Sequence, residues 1–230
     1  MLTHTTNFSN APRLTKTGRA APPAAAQTLA DTFEMMGAAM SFPRNSEIYG
    51  ENEPAEYLYK IVSGAVRTSK ILNDGRRQIG EFYLPGDIFG LEADSQHSFS
   101  AEAIGDVKVV VVKRSTVEAL AGRDHEIARQ LWATTGSELR RVHEHVLLLI
   151  KTAQERVAGF LLEMADRAKS TDDNAIELPM SRQDIADYLG LTIETVSRTL
   201  TNLESTAAIA LPSSRRIVLR NRTALRRLNA

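Results

Sequence analysis

The sequence predicts an α+β chain: a β-roll of jelly-roll type in the N-terminal half, one long helix, and a C-terminal winged helix-turn-helix. Three observations carry this. Short β-rich runs punctuated by turn residues fill the stretch from Glu47 to Lys113, an unbroken helical periodicity runs from Glu126 to Ile150, and a helix–glycine–helix pattern followed by two strand-like segments begins at Ser181. The expected division is a flexible arm over 1–28, the roll over 29–115, a helical connector and dimerisation helix over 116–150, and the winged helix-turn-helix domain over 151–230.

Residues 1–28 are rich in Thr, Ala, Pro and Asn without apolar periodicity. Such a segment buries too little surface to offset its ordering entropy, so it is expected to be a flexible arm. A short helix is expected from Leu29 to Met40, because Leu29, Phe33, Met36 and Met40 fall on one helical face. The runs YLYKIVSG, AVRTSKI, RQIGEFYL and VKVVVVK then read as strands. Asn73-Asp74-Gly75 and Pro85-Gly86-Asp87 read as tight turns, since glycine accepts positive φ and Asn or Asp tolerates it.

The long helix carries a seam. Ala128, Trp132, Thr135, Leu139, Val142, Val146 and Leu149 recur at alternating spacings of four and three, a heptad pattern with one polar member. A helix of this length extends about 40 Å, more than a small roll can cover, so the seam is expected to pair with a second copy of the chain rather than with the roll.

Residues 179–219 hold the most informative chemistry. Ser181 followed by Asp184 is a helix-start pattern, Gly190 supplies the left-handed turn, and Thr192 caps a second helix. On that helix Val196, Leu200 and Leu203 face inward, while Glu194, Ser197, Arg198 and Thr201 form the opposite stripe. Arginine can pair with guanine O6 and N7, glutamate accepts from cytosine N4, and serine or a methyl-bearing side chain meets thymine. A carboxylate repels phosphate, so Glu194 makes better sense reading a base edge than in a purely electrostatic surface. Ile193, Glu194, Ser197 and Arg198 are therefore the candidate base contacts. Candidate backbone contacts are Ser181, Arg182, Thr192, Thr195 and Thr201, with Arg215 and Arg216 in a wing between strands at Ile209–Leu211 and Ile217–Leu219.

Composition removes several alternatives. The chain has no cysteine, which excludes disulfides, thiolate zinc sites and cysteine-held iron–sulfur clusters. Its 28 basic and 28 acidic residues cancel, so nucleic-acid binding must rest on distribution, and the C-terminal part is locally arginine-rich. No apolar run approaches a membrane span and no signal-peptide stretch follows Met1, which makes a cytoplasmic protein without membrane association the expectation. His97 stands alone in the roll region and is expected to be a solvated loop residue; His125, His143 and His145 follow the strands, so a cupin-like metal enzyme is disfavoured. No catalytic residue and no phosphate-binding glycine loop is found.

The stretches YKIVSGAVR, GRRQIGEFYLPGDIFG and SRQDIADYLGLTIETVSRTLTNLE, with LLLIKTAQERVAGFLLEMADR between, resemble the CRP/FNR superfamily of transcription regulators. The pattern of Glu194, Ser197 and Arg198, with Ile193 where the cyclic-AMP receptor branch has arginine, resembles the FNR and FixK branches. This resemblance implies a homodimer on a palindromic TTGAT-N4-ATCAA-type site, with Arg198 on guanine, Glu194 on its paired cytosine, and Ser197 or Ile193 near thymine. Departures narrow it further. Gln96-His97-Ser98-Phe99-Ser100 stands where a nucleotide-binding roll carries an arginine-serine or arginine-threonine pair, and the FNR cluster's cysteines are missing. The FixK-type branch, lacking both devices, is the nearest pattern; it implies an activator that touches RNA polymerase in microaerobic and nitrogen-fixation control, with no bound cofactor. The alternative is a regulator of the same architecture gated by haem, a cyclic nucleotide or another small ligand.

Overall fold

A computed structural model describes residues 28–168 and 174–229. The arm expected over 1–28 lies, but for Thr28, outside them.

Helix α1 (Leu29–Met36) opens with a capping box between Thr28 and Asp31. It is shorter than the periodicity predicts. Gly37 adopts extended geometry, and Met40 belongs to strand β1 (Ala38–Phe42), paired antiparallel with β8 (Val107–Lys113). The β-branched run of β8 supplies a ladder template that a helix ending at an extended glycine cannot refuse, so pairing overrides the 3.6-residue period.

The roll consists of β1, β2 (Glu47–Tyr49), β3 (Tyr57–Ser63), β4 (Val66–Ile71), β5 (Arg77–Tyr83), β6 (Ile88–Phe89), β7 (Ser100–Ala103) and β8. Two four-stranded sheets, ordered β1-β8-β3-β6 and β2-β7-β4-β5, enclose an apolar interior. Alternation in β8 shows why both sheet faces are covered. Val107, Val109 and Val111 join the roll interior, while Val112 packs outward with Phe33 of α1, Val117 of α2 (Arg114–Ala121) and Ile127 of α3 (His125–Leu149).

Helix α3 carries an Asp124 N-cap and begins one residue earlier than its periodicity indicates. Beyond its first turns it leaves the roll. Helix α4 (Ala153–Arg167), with a Thr152–Glu155 capping box, is buried on all sides through its middle, from Val157 to Leu162. It packs against α6 (Ile193–Ser205) and α7 (Arg222–Asn229), beside α5 (Arg182–Leu189) and a three-stranded sheet ordered β10-β11-β9. Its strands are β9 (Ala175–Glu177), β10 (Ile209–Ala210) and β11 (Arg216–Leu219). Gly159 allows close helix approach: a Cβ there would lie 2.7 Å from Leu148 Cδ1 and 2.9 Å from Asn229 Oδ1.

One hydrophobic cluster joins the roll to the C-terminal part. Ile79 and Phe82 of β5 pack with Phe160 of α4 and Tyr188 of α5. Ile79 and Phe82 lie three apart, yet both reach this cluster because a β-bulge opposite Thr68 and Ser69 interrupts the strand's two-residue alternation.

Candidate nucleic-acid interface

The helix-turn-helix is assembled by local hydrogen bonds that the sequence pattern anticipates. The Ser181 hydroxyl accepts from the Asp184 N–H (3.1 Å), while Asp184 accepts from the Ser181 N–H (2.9 Å). Gly190 sits at φ 61°, ψ 40°, the left-handed conformation that the turn requires. Arg156 of α4 donates to the carbonyls of Leu189 (2.9 Å) and Gly190 (3.4 Å), satisfying groups that the end of α5 leaves free. The Thr192 hydroxyl then accepts from the Thr195 N–H (3.2 Å) and opens α6.

Helix α6 separates its faces. Val196, Leu200 and Leu203 are buried against the cluster, and Ile193, Glu194, Ser197, Arg198 and Thr201 are exposed. All four candidate base contacts therefore lie on one solvent-facing stripe starting in the first turn. Glu194 and Arg198 form no ion pair among the described residues; the helix N-terminal backbone first, and the Thr192 hydroxyl second, hold the Glu194 carboxyl below its ordinary range. Arg198 is exposed and, among the described residues, makes no side-chain hydrogen bond or ion pair, though its charge also helps to lower the Glu194 pKa.

The candidate backbone contacts are placed less uniformly. Thr192 is exposed and Thr195 half-buried at the start of α6, whereas the Thr201 hydroxyl donates to the Ser197 carbonyl (3.1 Å). Both donors of Ser181 are engaged by Asp184. Arg182 is half-buried; its Nη1 is buried without a hydrogen-bond partner among the described residues, and desolvation lowers the guanidinium pKa. The wing is a tight turn in which the Ser213 hydroxyl oxygen accepts from the Arg216 N–H (3.0 Å), leaving the Arg215 and Arg216 side chains on the surface.

Two ion clusters, unseen in the sequence, hold this unit against the roll. Asp184 receives Arg67 of β4 (3.0 Å) and Arg77 of β5 (2.7 Å), and Arg77 also reaches Asp187 (2.7 Å). Burial raises the Asp184 pKa, but the Ser181 hydrogen bonds and the two arginines outweigh it and hold the carboxyl below its ordinary value. The second cluster joins Arg167 of α4 to Glu81 (3.0 Å), Asp87 (2.9 Å) and Glu163 (3.0 Å), with Arg141 and Glu138 of α3 alongside. Glu138–Arg141 and Glu163–Arg167 stand at helical spacing, but no spacing signal marks the pairs that Arg67, Arg77 and Arg167 make between the roll and the C-terminal part, because those partners lie 80 to 117 positions apart in the chain.

The chain matches the Crp-like helix-turn-helix domain over residues 155–228 and the cyclic nucleotide-binding domain over residues 39–124. It is 54% identical over 205 residues to a nitrogen fixation regulation protein FixK from Azorhizobium caulinodans, covering 87% of this chain and 83% of that one. The chain belongs to the CRP/FNR family. Within that family it is FixK-like: a FixK from Rhizobium meliloti is 41% identical over 216 residues, 89% of this chain and 98% of that one. The structure of FixK2 from Bradyrhizobium japonicum superposes with a TM-score of 0.82 at 54% identity, over 85% of this chain and 98% of that chain. The chain is thus a FixK-type transcription regulator with a helix-turn-helix DNA-binding domain, and the α+β architecture read from the sequence is the one this family shares.

One expectation about the roll fails. His97 is not a solvated loop residue: it is 2% exposed and stacks on Tyr49 with ring centroids 3.5 Å apart. Desolvation lowers its pKa, opposed by Glu92, whose carboxylate lies 3.5 Å from Nδ1. The sequence disguises this because Gln96 and Ser98 are polar neighbours, while the aromatic partner is 48 positions away.

Proposed function

We propose that this regulator works as a homodimer, cytoplasmic and free of membrane, that reads a palindromic TTGAT-N4-ATCAA-type site and activates transcription by contacting RNA polymerase. The observation that carries the reading is the α6 stripe. A cation, an anion, a hydroxyl and an apolar side chain stand exposed at its N-terminal end, backed by a fully buried face that fixes their direction. Arg198 reads guanine, Glu194 its paired cytosine, and Ser197 or Ile193 thymine. Thr192, Thr195, Arg215 and Arg216, with Ser181, Arg182 and Thr201, set the register on phosphates.

Exposure along α3 supports the dimer. Trp132 is 81% exposed, and Leu139, Val142 and Val146 stand open beside it, so the middle of the heptad seam, between half-buried Ala128 and Leu149, finds no cover among the described residues. A second copy covers it along Ala128, Trp132, Thr135, Leu139, Val142, Val146 and Leu149, and two α6 helices one DNA turn apart, about 34 Å, then match a two-fold site. On this reading the functional division is 29–115 for the roll, 116–150 for connection and dimerisation, and 151–230 for DNA.

Packing inside the roll supports action without a bound effector. Tyr49, Tyr59, Tyr83 and Phe89 form a chain of ring contacts continued by His97, so side chains fill the interior. The 96–100 segment that would have to hold a cyclic phosphate offers a stacked, buried histidine and no arginine. The names of the FixK relatives, nitrogen fixation regulation proteins, support a regulon in nitrogen-fixation control, and the family resemblance extends that reading to microaerobic conditions. Selection of bound sites from random DNA, with and without cyclic nucleotide, tests the reading. An inverted repeat enriched equally under both conditions supports it, and enrichment only with nucleotide assigns the effector-gated alternative.

A further inference from the structure

The hairpin joining β4 and β5 does not end in open solvent. Arg67 and Arg77 tie its two strands to Asp184 and Asp187 of α5, so the tip is carried beside the helix-turn-helix. The tip itself is closed: Leu72 N–H donates to the Arg76 carbonyl (2.8 Å), Gly75 N–H donates to the Leu72 carbonyl (2.9 Å), and Gly75 takes φ 83°. Between tip and α6 lies a cleft of about 620 Å³, with Leu72, Arg76 and Gln78 on the roll side and Gly190, Thr192 and Thr195 on the other.

The charges in this cleft are unequal in their commitments. Arg77 is neutralised by Asp184 and Asp187. Among the described residues Arg76 is paired only with nearby Asp74 (2.7 Å), and the side chains of both are mostly exposed, 77% and 51%. An ion pair that open to water contributes little, so the guanidinium can leave it for a stronger anion. A helix entering the major groove by its N-terminal end places its cap at the groove edge, where the phosphate backbone runs. Thr192 and Thr195 are that end.

We propose that the β4–β5 hairpin is a second DNA-binding element, in which Arg76 takes a backbone phosphate lying along the Thr192–Thr195 wall of the cleft. The inference rests on the reading that α6 enters the major groove. It adds a contact from the roll domain to an interface otherwise confined to the C-terminal domain. Asp74 is the internal competitor for the same guanidinium.

The test measures the affinity of the full-length protein for a palindromic operator duplex and for a scrambled duplex as salt is varied. Each neutralised phosphate contributes about 0.9 to the slope of log K against log salt, so Arg76→Ala, losing one contact per protomer, lowers the slope by about 1.8 for a dimer. Both duplexes weaken by a similar factor, up to about eightfold per contact near 0.1 M salt relative to 1 M. Arg76→Lys retains the slope, and Asp74→Asn tightens binding to both duplexes. An unchanged slope in Arg76→Ala overturns the proposal, whether or not affinity falls, because a merely structural role releases no counterions. Wild-type protein that fails to prefer the operator over the scrambled duplex sinks the underlying DNA reading instead, so the two failures are distinguishable.

Discussion

Glu163 offers a quantitative test of how the C-terminal domain is held to the roll. Its carboxyl accepts from Arg167 Nη1 at 3.0 Å, in a cluster where Glu163 itself, Glu81 and Asp87 from the roll, and Glu138 from α3 outnumber Arg141 and Arg167, four acids to two cations; Tyr188 and His145 border it. Desolvation first, and Glu81 second, push the Glu163 carboxyl up to about 7, while Arg167 pulls in the opposite direction. A carboxyl whose pKa is higher in the folded state takes up a proton on folding. Its stabilisation is complete below the ordinary value of 4.5 and is lost as pH rises through about 7. The limits differ by about 3 kcal/mol at about 1.4 kcal/mol per pK unit, of which about 1 kcal/mol falls between about pH 6 and about pH 8. Urea denaturation at fixed protein concentration should show wild type losing that amount over this interval, relative to Glu163→Gln. The comparison cancels histidines and the remaining carboxylates, which titrate in both proteins. Parallel pH profiles for the two proteins would refute the charge-excess argument.

Three further outcomes follow from the same geometry. Arg198→Ala should cost about 1–3 kcal/mol of specific affinity and relax preference at one guanine, whereas Arg215→Ala should weaken all sequences alike; binding titrations on single-base operator variants separate them. Leu139→Asp places a charge in the exposed α3 seam, and analytical ultracentrifugation should show a shift to monomer with a parallel loss of operator binding. Gly190→Ala puts a Cβ on a left-handed residue where the nearest neighbours leave room, Arg156 Nη1 being 3.6 Å away, so its cost of about 1–2 kcal/mol is backbone strain alone and should appear in thermal melts.

Local chemistry made the helix-turn-helix readable. Ser181, Asp184, Gly190 and Thr192 each act within four residues of their partners, so the caps, the turn and the inward face of α6 were written in the spacing. The same holds for the strands of the β-rich runs and for the long seam of α3, whose periods are properties of a single segment. Three features were not readable. Met40 joined a strand because β8 offered it a ladder, His97 was buried by Tyr49, and α4 and α7 went unassigned because their apolar residues serve a cluster shared with β5 and α5.

By itself the sequence determined which segments could be helix or strand, which helix exposes Glu194, Ser197 and Arg198 on one stripe, and which chemistries the absence of cysteine forbids. Tertiary structure alone decided how the DNA-binding unit is carried. Arg67 and Arg77 reach Asp184, and Arg167 reaches Glu81, across 86 to 117 positions, and these pairings depend on where β4, β5, α4 and α5 meet in space. Periodicity encodes the face that a segment buries, whereas a charge acts through distance, which only the folded chain sets.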